Sequence, residues 1–67
     1  MTPTELKSNR QLLGLSVQQL AFVLGYTGPN GRSSIYKMEN GEKAITAPVE
    51  RLVLAYRAGY RPDDWPR

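Results

Sequence analysis

Two short segments constrain this chain more than any other feature: Leu13-Gly14-Leu15-Ser16-Val17-Gln18-Gln19-Leu20-Ala21 and Ser34-Ile35-Tyr36-Lys37-Met38-Glu39-Asn40-Gly41. Together they read as two short helices joined by a turn. Ser16 stands where an N-cap oxygen accepts a backbone N–H of the first turn, and Leu20, Ala21 and Leu24 then share one helical face before Gly25 ends the run. In the second helix of the pair Ile35 and Met38 lie three apart on an inner face, while Arg32, Ser33, Tyr36 and Lys37 point outward. Asn40-Gly41 closes that helix with residues that tolerate a left-handed backbone.

The rest of the chain extends the same pattern. Thr4 is placed to cap a first helix through Glu5, Leu6, Lys7, Arg10 and Leu13, with Leu6 and Leu13 marking a core stripe and Gly14 stopping it. The second helix is expected from about Val17 to Leu24. Tyr26-Thr27-Gly28-Pro29-Asn30-Gly31 is rich in turn residues and reads as a loop, with Asn30 as N-cap of the third helix. A fourth helix starts near Pro48, carries Val49, Leu52, Val53 and Tyr56 at i, i+3, i+4 and i+7, and ends at Gly59. The tail from Tyr60 to Arg67 has prolines near both ends and holds one helical turn at most. No repeat, linker or alternating segment is present, so the expectation is one all-α domain over residues 1–67.

Composition narrows the chemistry. A domain of 67 residues buries only about 60% of the surface its unfolded chain exposes, so architecture and function share residues. With no cysteine and no histidine, apolar helix packing must supply the stability, and neither a transition-metal site nor a histidine-activated serine can be built. Asp63-Asp64 without a third nearby ligand reads as solvated charge. The glycines from Gly25 to Gly31 fail as a phosphate loop, because arginine stands where the lysine belongs, the spacing is too long, and a helix leads in where a strand is needed. No enzyme reading and no cofactor follow. The formal net charge of +3 permits a polyanionic partner without demanding one. The N-terminus lacks the order of a signal peptide and no apolar run approaches the roughly 20 residues of a membrane span, so a cytoplasmic protein without membrane association is expected.

Arg10 at the end of the first helix, the Gly14-Leu15-Ser16 turn, Leu20-Ala21, Ile35 and the Glu39-Asn40-Gly41 signature together resemble the XRE family of Cro and lambda-type repressors, over nearly the whole chain. The resemblance implies a lambda-repressor-like bundle of four to five helices containing a helix-turn-helix, whose third helix lies in the DNA major groove. Two departures stand out. Val17 occupies the position where the family usually carries a glutamine touching the DNA backbone, which passes that contact to Gln18 or to the Ser16 hydroxyl. The turn into the third helix is also longer than is common in the family, and Gly28-Pro29-Asn30-Gly31 is the additional piece.

Within that resemblance, Arg32 after the cap Asn30 projects from the start of the third helix, where a guanidinium can bond guanine O6 and N7; the alternative is a solvated arginine. Ser33 and Lys37 suit a base or a phosphate. Tyr36 can stack on a sugar, touch a thymine methyl or shield the helix from water, and residue type does not choose among these. Asn40 and Lys43 follow where family members contact phosphates, against a simple C-cap and a solvated lysine. The resemblance makes Arg10 and Glu39 a structural ion pair across the bundle. It also implies a sequence-specific regulator binding a near-palindromic duplex as a homodimer. Members of this size are similar to Cro-like and anti-CRISPR-associated repressors of phage and mobile-element operons in bacterial cells, where they sit on the nucleoid. A second implied reading is an antitoxin that binds a toxin through a surface such as Tyr60 and Trp65.

Overall fold

The computed structural model describes residues 1–66, and the described residues hold four helices and no strand: α1 (Pro3–Leu12), α2 (Val17–Val23), α3 (Gly31–Asn40) and α4 (Ala47–Arg57). The all-α expectation holds. Each helix contributes to one core, in which Leu6 of α1, Leu20 of α2, Ile35 and Met38 of α3 and Val53 of α4 are fully buried. Helix α3 packs on α2 and α1, and α1 also packs on α4. A fully buried large side chain contributes ~1.5–3 kcal/mol and a surface ion pair ~0–1 kcal/mol, so these apolar contacts dominate the fold.

The starts of α1 and α2 are set by side-chain caps, those of α3 and α4 are not, and the cap of α1 differs from the sequence expectation. Thr2, and not Thr4, is the N-cap of α1. Pro3 takes the first helical position, where its missing N–H costs nothing, and the extended backbone of Thr2 lets its hydroxyl accept from the Glu5 N–H at 3.1 Å. The Glu5 carboxylate accepts in return from the Thr2 N–H at 2.8 Å, completing a capping box. That backbone donor, and after it the Thr2 hydroxyl, holds the Glu5 carboxyl below its ordinary range. Ser16 caps α2 as expected, with Gln19 as its reciprocal partner: Gln19 N–H donates to the Ser16 hydroxyl at 3.1 Å and Ser16 N–H to the Gln19 side chain at 2.9 Å.

Asn30 occupies the N-cap position of α3 but makes no side-chain cap bond. Its backbone is not extended (φ −97°, ψ 8°), because the preceding loop winds directly into the helix and Gly31 N–H donates to Gly28 O at 3.0 Å. Gly41 closes α3 with φ +81°, the left-handed backbone expected of Asn40-Gly41.

Helix α4 buries Val49, Val53 and Tyr56, whereas Leu52 falls off the core edge and is exposed. At 100° per residue Leu52 lies on one flank of the stripe that the other three define. Leu13 and Leu24 are likewise only half-buried. The tail folds back: Trp65 N–H donates to Pro62 O at 3.0 Å, and the indole meets Tyr56 edge-on with centroids 5.0 Å apart. Arg61 lies over the indole at 4.3 Å and donates to Tyr56 O at 2.6 Å and Tyr60 O at 2.9 Å, near the carbonyl end of α4. Tyr56 itself donates its hydroxyl to Val23 O at 2.8 Å, tying α4 to the end of α2; burial pushes its phenol above the ordinary range, which keeps the proton on this donor.

Candidate nucleic-acid interface

Helix α3 divides cleanly by side-chain chemistry. Ile35 and Met38 are fully buried, whereas Arg32, Ser33, Tyr36, Lys37 and Asn40 are exposed. The one carboxylate of the helix, Glu39, is turned away from this outer face and bonded to Arg10: Arg10 Nε lies 2.8 Å from Glu39 Oε2 and Nη2 lies 3.3 Å from Oε1. Arg10 Nη1 also donates to Leu15 O at 3.0 Å, so one guanidinium joins α1, the turn before α2, and α3. Both side chains are largely withdrawn from water, with 12% and 6% exposure. The outer face of α3 is therefore left with cationic and neutral hydrogen-bonding groups only, an arrangement suited to a polyanion.

Two depressions flank this face. One, of about 340 Å³, is bounded by Gln18 and Phe22 of α2, the loop residues Thr27, Gly28 and Pro29, and Arg32. The other, of about 570 Å³, is lined by Asn30, Ser33, Ser34, Lys37, Glu42 and Lys43. Gln18 and Arg32 thus border one hollow, and Asn30, Ser33, Lys37 and Lys43 another. Ser16 lies beside Gln18 in a third, shallower hollow closed by Phe22 and Pro66. The Ser16 hydroxyl accepts from the Gln19 N–H, which leaves its proton free to donate outward. Tyr36 and Asn40 stand exposed on α3 outside the three hollows.

Three features escaped the sequence reading. The first, the Ser16-x-x-Gln19 capping box, is a local pattern that the sequence carries and the reading took only as far as the Ser16 cap. Phe22, 47% exposed and bordering two of the hollows, carries no local signal of its position. Nor does Tyr26, whose ring lies beneath the Lys43 ammonium at 5.5 Å, since that contact joins residues far apart in the chain.

A family model described as helix-turn-helix matches residues 6–49, from Leu6 in α1 to Val49 in α4. No curated protein and no solved structure was found to match the chain.

Proposed function

This chain belongs to the helix-turn-helix family, of the XRE and lambda-repressor-like type, and is a DNA-binding transcriptional regulator of that type; from this we propose that it is a small repressor binding a near-palindromic operator as a homodimer, with α3 in the major groove. The observation that carries the reading is the outer face of α3, where Arg32, Ser33, Tyr36, Lys37 and Asn40 are exposed and the only carboxylate of the helix is bound to Arg10. Arg32 reads a guanine, Ser33 and Lys37 reach bases or phosphates, and Ser16, Gln18, Asn30, Asn40 and Lys43 hold the backbone on either side. Tyr36 supports this reading as a contact to a sugar or a thymine methyl. The regulated promoter is the protein's own, in an operon of phage or mobile-element type, as for the small repressors it resembles.

Selection of binding sites from random duplex DNA, followed by gel shifts on the selected sites, tests this. Two half-sites with centres roughly 34 Å apart, or a multiple of that, are expected. Full affinity for a single half-site would remove the dimer, and absence of any sequence preference would remove the specific repressor. The antitoxin alternative has less behind it: of its two candidate surface residues Tyr60 is exposed, but Trp65 is engaged with Tyr56 and Arg61 of its own chain.

A further inference from the structure

Tyr26 belongs to the loop between α2 and α3, of which the proposed function uses only Asn30. Its backbone is held from both sides. Tyr26 N–H donates to Ala21 O at 2.9 Å, and α3 begins so close that a Cβ added at Gly31 would lie 2.1 Å from Tyr26 O. The ring is half-buried against the core. Its platform is therefore anchored to both helices of the DNA-reading pair, and the Lys43 ammonium sits over it, 5.5 Å from the centroid.

Lys43 comes from the segment after α3, where Glu42 and Lys43 N–H groups both donate to Lys37 O, at 2.9 and 3.2 Å. Its side chain borders the same hollow as Asn30, Ser33 and Lys37. Neither lysine forms an ion pair among the described residues, although the Glu42 carboxylate borders the hollow as well. An unrestrained lysine loses rotamer freedom when it meets an anion, and an ammonium already resting on a fixed aromatic face loses less.

We propose that Tyr26 is a positioning residue that seats the Lys43 ammonium beside Lys37, so that the two lysines and the polar groups of Asn30 and Ser33 receive one DNA backbone phosphate. This rests on the docking of α3 proposed above. The loop into α3 thereby has a consequence for binding: it places an aromatic platform under a phosphate-binding lysine. Because the contact is with the backbone, Tyr26 acts on all sequences alike and leaves base preference to α3.

The test compares the full chain with Tyr26→Leu, Tyr26→Phe, Lys43→Ala and the double variant Tyr26→Leu/Lys43→Ala, measuring affinity for a selected site and for random duplex over a range of salt. Lys43→Ala is expected to weaken both DNAs and to lower the salt slope by about 1. Tyr26→Leu is expected to weaken both by about two- to fivefold, Tyr26→Phe to restore binding because it keeps the ring, and the double variant to bind as Lys43→Ala does. In the free wild-type protein the Lys43 side-chain methylene protons should show an upfield ring-current shift by NMR, a readout that needs no variant to fold. Absence of that shift, or a double variant weaker than Lys43→Ala by the full Tyr26→Leu factor, overturns the role of Tyr26. Unchanged affinity in Lys43→Ala, with sequence preference still altered by Arg32→Ala, overturns the phosphate seat and leaves the docking of α3 standing. Failure of the wild-type chain to prefer any duplex overturns the docking, and the seat with it.

Discussion

Glu39 is the residue whose loss separates scaffold from contact surface most directly. Its side chain is largely withdrawn from water and bonded through both oxygens to Arg10, so Glu39→Ala leaves a part-buried guanidinium without its counter-charge. Removing one partner of a buried pair costs ~3–5 kcal/mol, and thermal unfolding should show a large drop in Tm in the free protein. An unchanged Tm together with lost DNA binding would instead make Glu39 a DNA contact. Arg32 is the opposite case, exposed and free of ion pairs among the described residues. Arg32→Ala should leave stability almost untouched, cost ~1–3 kcal/mol of specific binding and relax preference at one base position, read by repeating the site selection with the variant. Gly31 is a third kind of residue, set by space alone. An alanine methyl would collide with Tyr26 O, so Gly31→Ala should shift the loop or the start of α3 and destabilise the fold by ~1–3 kcal/mol on denaturant unfolding.

At the scale of elements, the short helices depend on their caps. Helix α2 has seven residues and α1 ten, lengths at which an isolated helix is marginal in water, and each carries a full capping box. Ser16→Ala should cost ~0.5–2 kcal/mol, measurable by chemical denaturation, while Gln19→Ala removes only the returning bond and should cost less. The box on α1 also makes stability depend on pH. The Glu5 carboxyl titrates below its ordinary range when folded, so its contribution is present above the unfolded carboxyl's pKa and is lost as pH falls through the lower, folded value. An NMR titration should find Glu5 the more acidic in the native protein, and Thr2→Ala, which removes the hydroxyl and keeps the backbone N–H, should return it only partway toward the ordinary value. The capping box of α2 was legible as Ser16-x-x-Gln19, a pattern confined to four residues. Thr2 was equally legible and was passed over: Pro3 at the first helical position and Glu5 three residues after the cap mark Thr2, whereas Thr4 is followed at that spacing by Lys7. Asn30 fits the residue preference of a cap too, yet the way the loop winds into α3 leaves its side chain without a backbone amide to cap.

For the whole molecule, the tail decides how much of the chain acts as one unit. Trp65 packs edge-on to Tyr56, Arg61 lies over its ring, and Tyr56 reaches Val23 through its hydroxyl, so the tail, α4 and α2 form one connected set. The aromatic pair alone accounts for ~0.5–1.5 kcal/mol, and Trp65→Ala should lower stability by at least that amount in thermal unfolding. Deleting the chain from Tyr60 onward should cost more, since it also removes the Arg61 bonds to the end of α4. A truncated protein with unaltered Tm would show the tail to be dispensable. Sedimentation of the same variants reports separately on dimerisation: if the tail serves only its own chain, Trp65→Ala changes Tm and leaves the dimer constant alone.

What the sequence determined by itself is whatever depends on near neighbours. The four helices, the inner face of α3 at Ile35 and Met38, the Ser16 cap and the left-handed close at Gly41 follow from periodicity and local backbone preference within a turn or two. The Arg10–Glu39 pair was foreseen through family resemblance, since nothing local links residues 29 apart. Only the tertiary structure decided that Leu52 is left about a third exposed, that Gly31 lies too close to Tyr26 O for any side chain, and that the Tyr26 ring lies under Lys43. These depend on where separate helices and loops meet. A helical repeat says which residues share a face, but what that face packs against is set by the crossing of elements that are distant in the chain.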